Sequence, residues 1–219
     1  IFKRIGFKEF ISITADSGMF GGNRSDEFMA IADCGEDVLF VSPNGNYQAN
    51  REVACARLEY AHEEELPLEK VKTPHSKTIA DVANFLGIDQ AHTCKAVFYK
   101  DSQGRLVFVN IRGDLEVNET KLAKVVKDGN LVFADDELIR SIGAVPGYAS
   151  LHGLDLARVR AIVDPSVVNS PNLAVGANEE EFHYRNFNFG RDLQQKELVT
   201  VADIACVRDG DPSPVDGAP

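Results

Sequence analysis

Two apolar runs, Ala96 to Tyr99 and Leu106 to Ile111, flank the polar stretch Asp101-Ser-Gln-Gly104. Short runs rich in β-branched and aromatic residues, separated by turn formers, predict a hairpin of two strands buried mid-sheet. Upstream the period changes. Ile79, Val82, Ala83 and Leu86 share one helical face, Thr78 and Asp81 have the spacing of a capping box, and Gly87 ends the segment. The same reasoning predicts a helix after Asn118 with Leu122, Val125 and Val126 inward, and a third after Asp135 or Asp136 that stops at Gly143. Ala144 to Leu154 reads as a loop. Val159 to Val163, Leu173 to Val175 and Phe182 to Phe187 read as strands, the last two joined by Gly176-Ala-Asn-Glu.

The first third of the chain is patterned less regularly. Phe2 to Ile5 resembles a helix end capped by Gly6, and Glu9 to Thr14 alternates as a strand. Phe28 to Ala32 and Val38 to Ser42 form strands around Cys34 to Asp37, Pro43 to Asn46 is a turn, and Asn50 is placed to cap a short helix reaching about Tyr60. The glycine-rich Asp16 to Arg24 has neither G-x-G-x-x-G spacing nor a P-loop lysine, so it is no nucleotide fingerprint. His62 to Pro74, charged and punctuated by proline, is expected to be a linker.

Composition narrows the function. At 219 residues and 44% hydrophobic content the chain can bury a proper core. Thirty-four acids against 23 bases give a formal charge of -11, which repels phosphate, so nucleic acid is expected to be engaged only through a local basic patch or with another domain's help. Four scattered cysteines, with no CxxC pair and no metal-ligand spacing, suggest a reducing cytoplasm, and no apolar run approaches a membrane span. The chain opens at Ile1, which suggests a piece of a longer protein.

The candidate chemistry gathers at the ends of the hairpin. Lys95 precedes the first apolar run and Arg112-Gly-Asp114 ends the second, which places charge at a sheet rim, although a lysine at a strand end is more often a snorkelling surface residue. Cys94, with His183 or His152 elsewhere, is a candidate nucleophile. Adjacent strand residues face opposite sides, however, so Cys94 and Lys95 cannot both enter one pocket without a bulge. The small residues of Pro146 to Gly153 and Gly176 to Asn178 let backbone N–H groups approach a ligand, or simply make turns.

Six ordered blocks carry a resemblance: T-x-K-A-x-x-Y, V-N-I-R-G-D-x-E-x-N-E-x-K-L, I-G-A-x-P-G, V-D-x-S-V, G-A-N and N-F-G-R-D-L. Together they cover Thr73 to Leu193 and resemble the insertion (editing) domain of bacterial prolyl-tRNA synthetase, related to free-standing YbaK/ProX-type deacylases. The flanks, A-D-S-G-x-x-G-G-x-x-S-x-E-F-M-A and V-R-D-G-D-P-S-P, are similar to pieces of that enzyme's class II catalytic core. Asp26 stands where the family usually has His, Leu151 where its pocket loop has Pro, and Ser150 where Gly is common.

The resemblance implies an α/β (α+β) fold with a mixed, largely antiparallel, partly closed sheet flanked by helices. It implies a core segment over 1–65, an editing domain over 66–193 and a return segment over 194–219. It also implies a deacylase that hydrolyses alanyl-tRNA(Pro) within the parent synthetase, with a non-catalytic insertion that helps to bind the tRNA acceptor end as the alternative. Lys95, Asp164 and His183 take catalytic positions by this match. Arg112, Gly147, Tyr148, Ser150, Leu151, Gly176, Ala177 and Asn178 bind the substrate or the tRNA end, and Tyr148, Leu151, Val167 and Leu173 are expected to wall a cavity sized for a methyl group. No cofactor or metal is implied for editing. The ATP and Mg site belongs to the parent enzyme, whose arginine-bearing class II motifs are missing here, so proline activation by this chain is not expected. The partners implied are tRNA(Pro) carrying alanine and the rest of the synthetase, with a homodimer through the parent enzyme, in the cytoplasm and off the membrane.

Overall fold

The predicted hairpin is the centre of a five-stranded sheet. In the computed structural model, which describes residues 1–16, 25–32 and 34–219, the chain divides into a first unit, Ile1–Leu58 with Cys206–Pro219, and a second, Glu59–Ala205, to which the hairpin belongs. The glycine-rich residues 17–24, and Asp33, lie outside the described residues.

In the second unit β6 (Cys94–Lys100) and β7 (Leu106–Arg112) pair antiparallel in full register, from Cys94 opposite Arg112 to Lys100 opposite Leu106. β8 (Val132–Phe133) extends the sheet antiparallel beyond β6. β9 (Arg160–Val163) and β12 (Val199–Val201) extend it in parallel beyond β7, giving the order β12-β9-β7-β6-β8. Strand alternation divides the apolar residues between two cores. Phe98, Leu106, Phe108, Ala161 and Val163 join Leu151, Leu156, Val167, Leu173 and Phe187 on one face. Tyr99, Val107, Val109 and Ile162 meet Leu122 and Val126 of α2 (Glu119–Val126) and Ile204 on the other. A strand covered on both faces needs no polar alternation, which is why the hairpin reads as continuous apolar runs.

A second sheet, in the order β10-β11-β5, is antiparallel: β10 (Leu173–Gly176), β11 (Phe182–Phe187) and β5 (Glu69–Lys72). An isolated bridge between Thr93 and Ala174 links it to the start of β6. The unit is therefore α/β, with a mixed, largely antiparallel sheet system flanked by short helices, as the resemblance implies.

Helix starts follow their caps. Thr78 and Asp81 form the reciprocal capping box of α1 (Ile79–Leu86), which Gly87 ends in the left-handed region. Asn118 caps α2, and Asp135 caps α3 (Asp136–Ser141). Two short helices escape the periodicity reading because neither is long enough to show a period: α4 (Pro165–Asn169), capped by Asp164, and α5 (Phe189–Asp192).

Two expectations are corrected. The linker His62 to Pro74 contains β5, whose Glu69-Lys-Val-Lys carries the charge typical of a sheet edge and therefore looks like a spacer until β11 supplies its partner. No helix runs from Asn50 to Tyr60: Asn50 is the end of strand β4 (Gln48–Asn50), and the Arg51 and Arg57 N–H groups donate to Val38 and Pro212 carbonyls rather than into a helix. The first unit is built on a four-stranded sheet, β2-β1-β4-β3, with β1 (Phe10–Ala15), β2 (Ser25–Ala30) and β3 (Leu39–Val41). The second compact unit, Glu59–Ala205, also takes in β12, which pairs with β9. No helix among the described residues is long and apolar enough to cross a membrane.

Candidate active site

A cavity of about 400 Å³ opens in the second unit where α1, the start of β6, the loop after Ala144 and the β10–β11 pair converge. Its lining is apolar over much of its extent: Ile79 and Val82 from α1, Ala96 and Phe98 from β6, Phe133 from β8, Ala149 from the loop, and Ala174 and Gly176 from β10. Polar groups enter at a few points, from Lys77, Thr93, Lys95 and His183. A largely apolar cleft with a few convergent polar groups is the form that small-ligand sites take.

His183 is buried in β11, opposite Gly176 on one side and Val71 on the other. Its Nδ1 lies 2.6 Å from the hydroxyl of the fully buried Thr73, and its ring meets Tyr148 at 5.5 Å. Among the described residues its other ring nitrogen has no protein partner. Burial lowers its pKa from the ordinary 6.5 to about 4, so the imidazole is neutral near pH 7. The unfolded chain takes up this proton first, so the contribution to stability is complete above the ordinary pKa and is lost as pH falls through the window between about 6.5 and 4. Between pH 7 and pH 5 the wild type is expected to lose about 2 kcal/mol through this group. Urea unfolding at the two pH values, run beside His183→Gln, checks this: the variant should show a flatter dependence, and equal slopes would remove His183 as the cause.

The loop is held by one side chain. The Asn178 amide accepts from the Ser150 N–H (3.1 Å) and donates to the Ser150 and His152 carbonyls (3.0 and 2.9 Å), while its backbone N–H donates to the Tyr148 carbonyl (2.8 Å). Asn178 does this with φ of 51°, in the left-handed region that asparagine tolerates. Gly147, at φ 83°, lets the chain turn into the cavity wall. Within this loop the N–H groups of Tyr148 and Ser150 are spent on Val145 and Asn178, whereas those of Gly147 and Ala149 donate to no protein group among the described residues. These are two cavity-lining residues with unspent amide donors.

The predicted site residues separate accordingly. His183, Gly147 and Gly176 line the cavity, as does Lys95. The Lys95 ammonium, however, donates to the Leu115 carbonyl (2.8 Å) and pairs with Glu116 (2.6 Å). Tyr148, Ser150, Ala177 and Asn178 stand behind the lining and shape it, with the Ala177 N–H spent on the Phe182 carbonyl.

Asp164 is not among the cavity residues. Its buried carboxylate accepts from the Ser166 and Ile204 N–H groups (2.8 and 3.0 Å), capping α4 and fastening the chain after β12. Arg112 is also elsewhere, held in a two-point pair with Asp114 at 2.6 and 3.0 Å. Burial opposes its charge, and the Asp114 carboxylate outweighs burial and raises its pKa. Leu151, Val167 and Leu173 do not wall the cavity: all three are packed in the core, and Ala96, Ala149, Ala174 and Gly176 take that place. Cys94 lines the cavity, but burial pushes its thiol up to about 12, which leaves no thiolate for nucleophilic attack. Among the described residues no group of three His, Cys, Asp or Glu is placed to hold a metal.

Thr73 and Lys77 were missed because they fall in or beside the segment read as linker. Only the pairing of β5 with β11 brings Thr73 to His183.

The family model for the aminoacyl-tRNA editing domain matches residues 73–193, which include every lining residue of the cavity. Among curated proteins, the chain is 40% identical over 215 residues to a proline–tRNA ligase of Dehalococcoides mccartyi, covering 98% of this chain and 37% of that protein. A proline–tRNA ligase of Chromobacterium violaceum is 42% identical over 221 residues, with the same 98% and 37% coverage. The chain thus spans little more than a third of the length of these relatives. Among solved structures, that of the hypothetical protein APE2540 superposes with a TM-score of 0.54 at 19% identity, covering 64% of this chain and 92% of that one. A candidate trans-editing enzyme for prolyl tRNA synthetase superposes at 0.50 with 19% identity, covering 63% and 86%. Both share the fold.

Proposed function

Starting from a chain that belongs to the aminoacyl-tRNA editing domain family, we propose that the cavity hydrolyses the ester of alanyl-tRNA(Pro) as part of a proline–tRNA ligase. The observation that carries this reading is the pair of unspent N–H groups, Gly147 and Ala149, in the wall of a largely apolar cavity that also holds a neutral His183.

Ester hydrolysis needs little more. Water adds to the carbonyl carbon, and the charge that develops on the carbonyl oxygen needs preorganised donors. The Gly147 and Ala149 amides supply these without any titratable group. As the tetrahedral intermediate collapses, the bond to the terminal ribose oxygen breaks, and that oxygen takes a proton originating from the attacking water, passed along by the neighbouring ribose hydroxyl. Free alanine and intact tRNA leave. His183, with Nδ1 bonded to Thr73, keeps one nitrogen to orient the water or the substrate, and at a pKa of about 4 it positions rather than abstracts. Lys95 adds positive potential at the cavity, damped by Glu116.

Selectivity follows from size. A synthetic site shaped for proline cannot strongly exclude alanine, since each missing methylene is worth only about 1 to 3 kcal/mol, so a second site with the opposite size rule is required. The amino-acid side chain is assigned to the part of the cavity walled by Ala96, Ala149, Ala174 and the Gly176 backbone, where close-packed walls would set the size limit. Incubation of the chain with alanyl-tRNA(Pro) and prolyl-tRNA(Pro) is expected to show hydrolysis of the first at least tenfold faster. Equal rates defeat the size rule, and no hydrolysis of either by a folded, RNA-binding sample leaves the non-catalytic role.

A further inference from the structure

The cavity is lined by two lysines, and their charges are placed differently. Lys95 is neutralised locally by Glu116 at 2.6 Å. Lys77, just ahead of α1, has no hydrogen bond or ion pair to its ammonium among the described residues. Its side chain is nevertheless located: the stem carbons lie where a Cβ on Gly147 would be 3.4 to 3.5 Å away, and Nζ sits 5.8 Å from the centroid of the Tyr148 ring.

The N-terminus of α1, the other positive feature nearby, already carries a carboxylate in its first turn. The Thr78 hydroxyl takes the Asp81 N–H, and the Asp81 carboxylate takes the Thr78 N–H. Lys77 is thus the cavity's uncommitted cation, on a chain whose formal charge of -11 repels polyanions elsewhere.

We propose that Lys77 binds a backbone phosphate of the single-stranded tRNA acceptor end and so draws the terminal ester to the Gly147 and Ala149 amides. This rests on the editing reading for the identity of the ligand. Exchanging the ring for a phosphate gains the Lys77 ammonium a charge-assisted contact. The stem packed on Gly147 ties the place of that contact to the donor loop. Lys77 is a positioning residue in this account, because it touches the polynucleotide and not the reacting carbonyl.

The test is binding, measured apart from hydrolysis. An uncharged acceptor-stem minihelix ending in CCA is titrated with the 219-residue chain by fluorescence anisotropy at several salt concentrations, for wild type, Lys77→Met and Lys77→Arg. Methionine keeps an apolar stem over Gly147 and Tyr148 and removes only the charge. The expected result is about five- to tenfold weaker binding for Lys77→Met at low salt, a dependence of log Kd on log salt reduced by about 0.7, and recovery of both in Lys77→Arg.

A minihelix lacking CCA should bind wild type and Lys77→Met equally. Unchanged affinity and slope in Lys77→Met overturn the proposal, as does an equal loss on the minihelix without CCA, or no binding by wild type at low salt. A wild type that binds in this Lys77-dependent way but hydrolyses no alanyl-tRNA(Pro) sinks the editing reading instead and leaves the phosphate contact standing.

Discussion

Gly176→Ala is expected to lower ester hydrolysis by about a thousandfold and the melting temperature of the second unit by about 10 °C. The added methyl group would overlap the Tyr148 carbonyl and come within 2.5 Å of the Ala149 oxygen. Both obstacles are backbone, so no rotamer change relieves them. The strand itself is anchored by Leu173 and Val175 in the core, so the loop from Gly147 to Ala149 must give way. Overpacking of this kind costs about 1 to 3 kcal/mol, and a unit of this size loses several degrees for each. Activity falls further than stability because an oxyanion donor displaced by an ångström forfeits most of its effect. Gly190→Ala is the control, since a Cβ there meets nothing within 4 Å. Scanning fluorimetry and deacylation assays on both variants decide the matter. A Gly176→Ala protein with wild-type rates would show that the loop does not carry the chemistry.

Asn178→Ala comes next, with an expected loss of about a hundredfold in hydrolysis and about 3 kcal/mol in stability. The change removes three side-chain hydrogen bonds and strands the N–H and carbonyl of the buried Ser150, each worth about 1 to 3 kcal/mol if it finds no water. Alanine also tolerates φ of 51° less well than asparagine. Asn178→Gly separates the two effects, because it restores backbone freedom without the amide. If the clamp matters, the glycine variant stays nearly as inactive as the alanine variant while regaining part of the stability. Asn178→Asp keeps the acceptor for the Ser150 N–H but sets a carboxylate oxygen against two carbonyls, so it should be no better than alanine. Hydrolysis near the wild-type rate in all three would rule out the clamp as the means by which the loop is positioned.

Much of this molecule was legible in its sequence, for reasons that are local. The hairpin β6–β7 announces itself because strands covered on both faces must be apolar throughout, and α1 to α3 because their caps and faces lie within a few residues of each other. Glycines before and after the loop, and the family blocks over Thr73 to Leu193, marked the part of the chain that lines the cavity, with Lys95, Gly147, Gly176 and His183 among the lining residues. What a side chain does once the sheets close was not legible. Asp164 falls in a matched block, yet its two oxygens are consumed by backbone N–H groups from α4 and from residue 204, which are 2 and 40 positions away. Leu151 sits in the loop that shapes the cavity but turns into the core, because an apolar side chain is buried wherever a core face lies within reach. Thr73 meets His183 only through a strand pairing across 110 residues, and the charged strand that makes it possible resembles a linker until its partner is present. The sequence determined the central hairpin, the capped helices α1 to α3 and the family, since propensity, capping and periodicity act over short spans; which groups converge on the cavity was decided by tertiary structure, since that convergence rests on strand register and on competition for hydrogen bonds between distant segments.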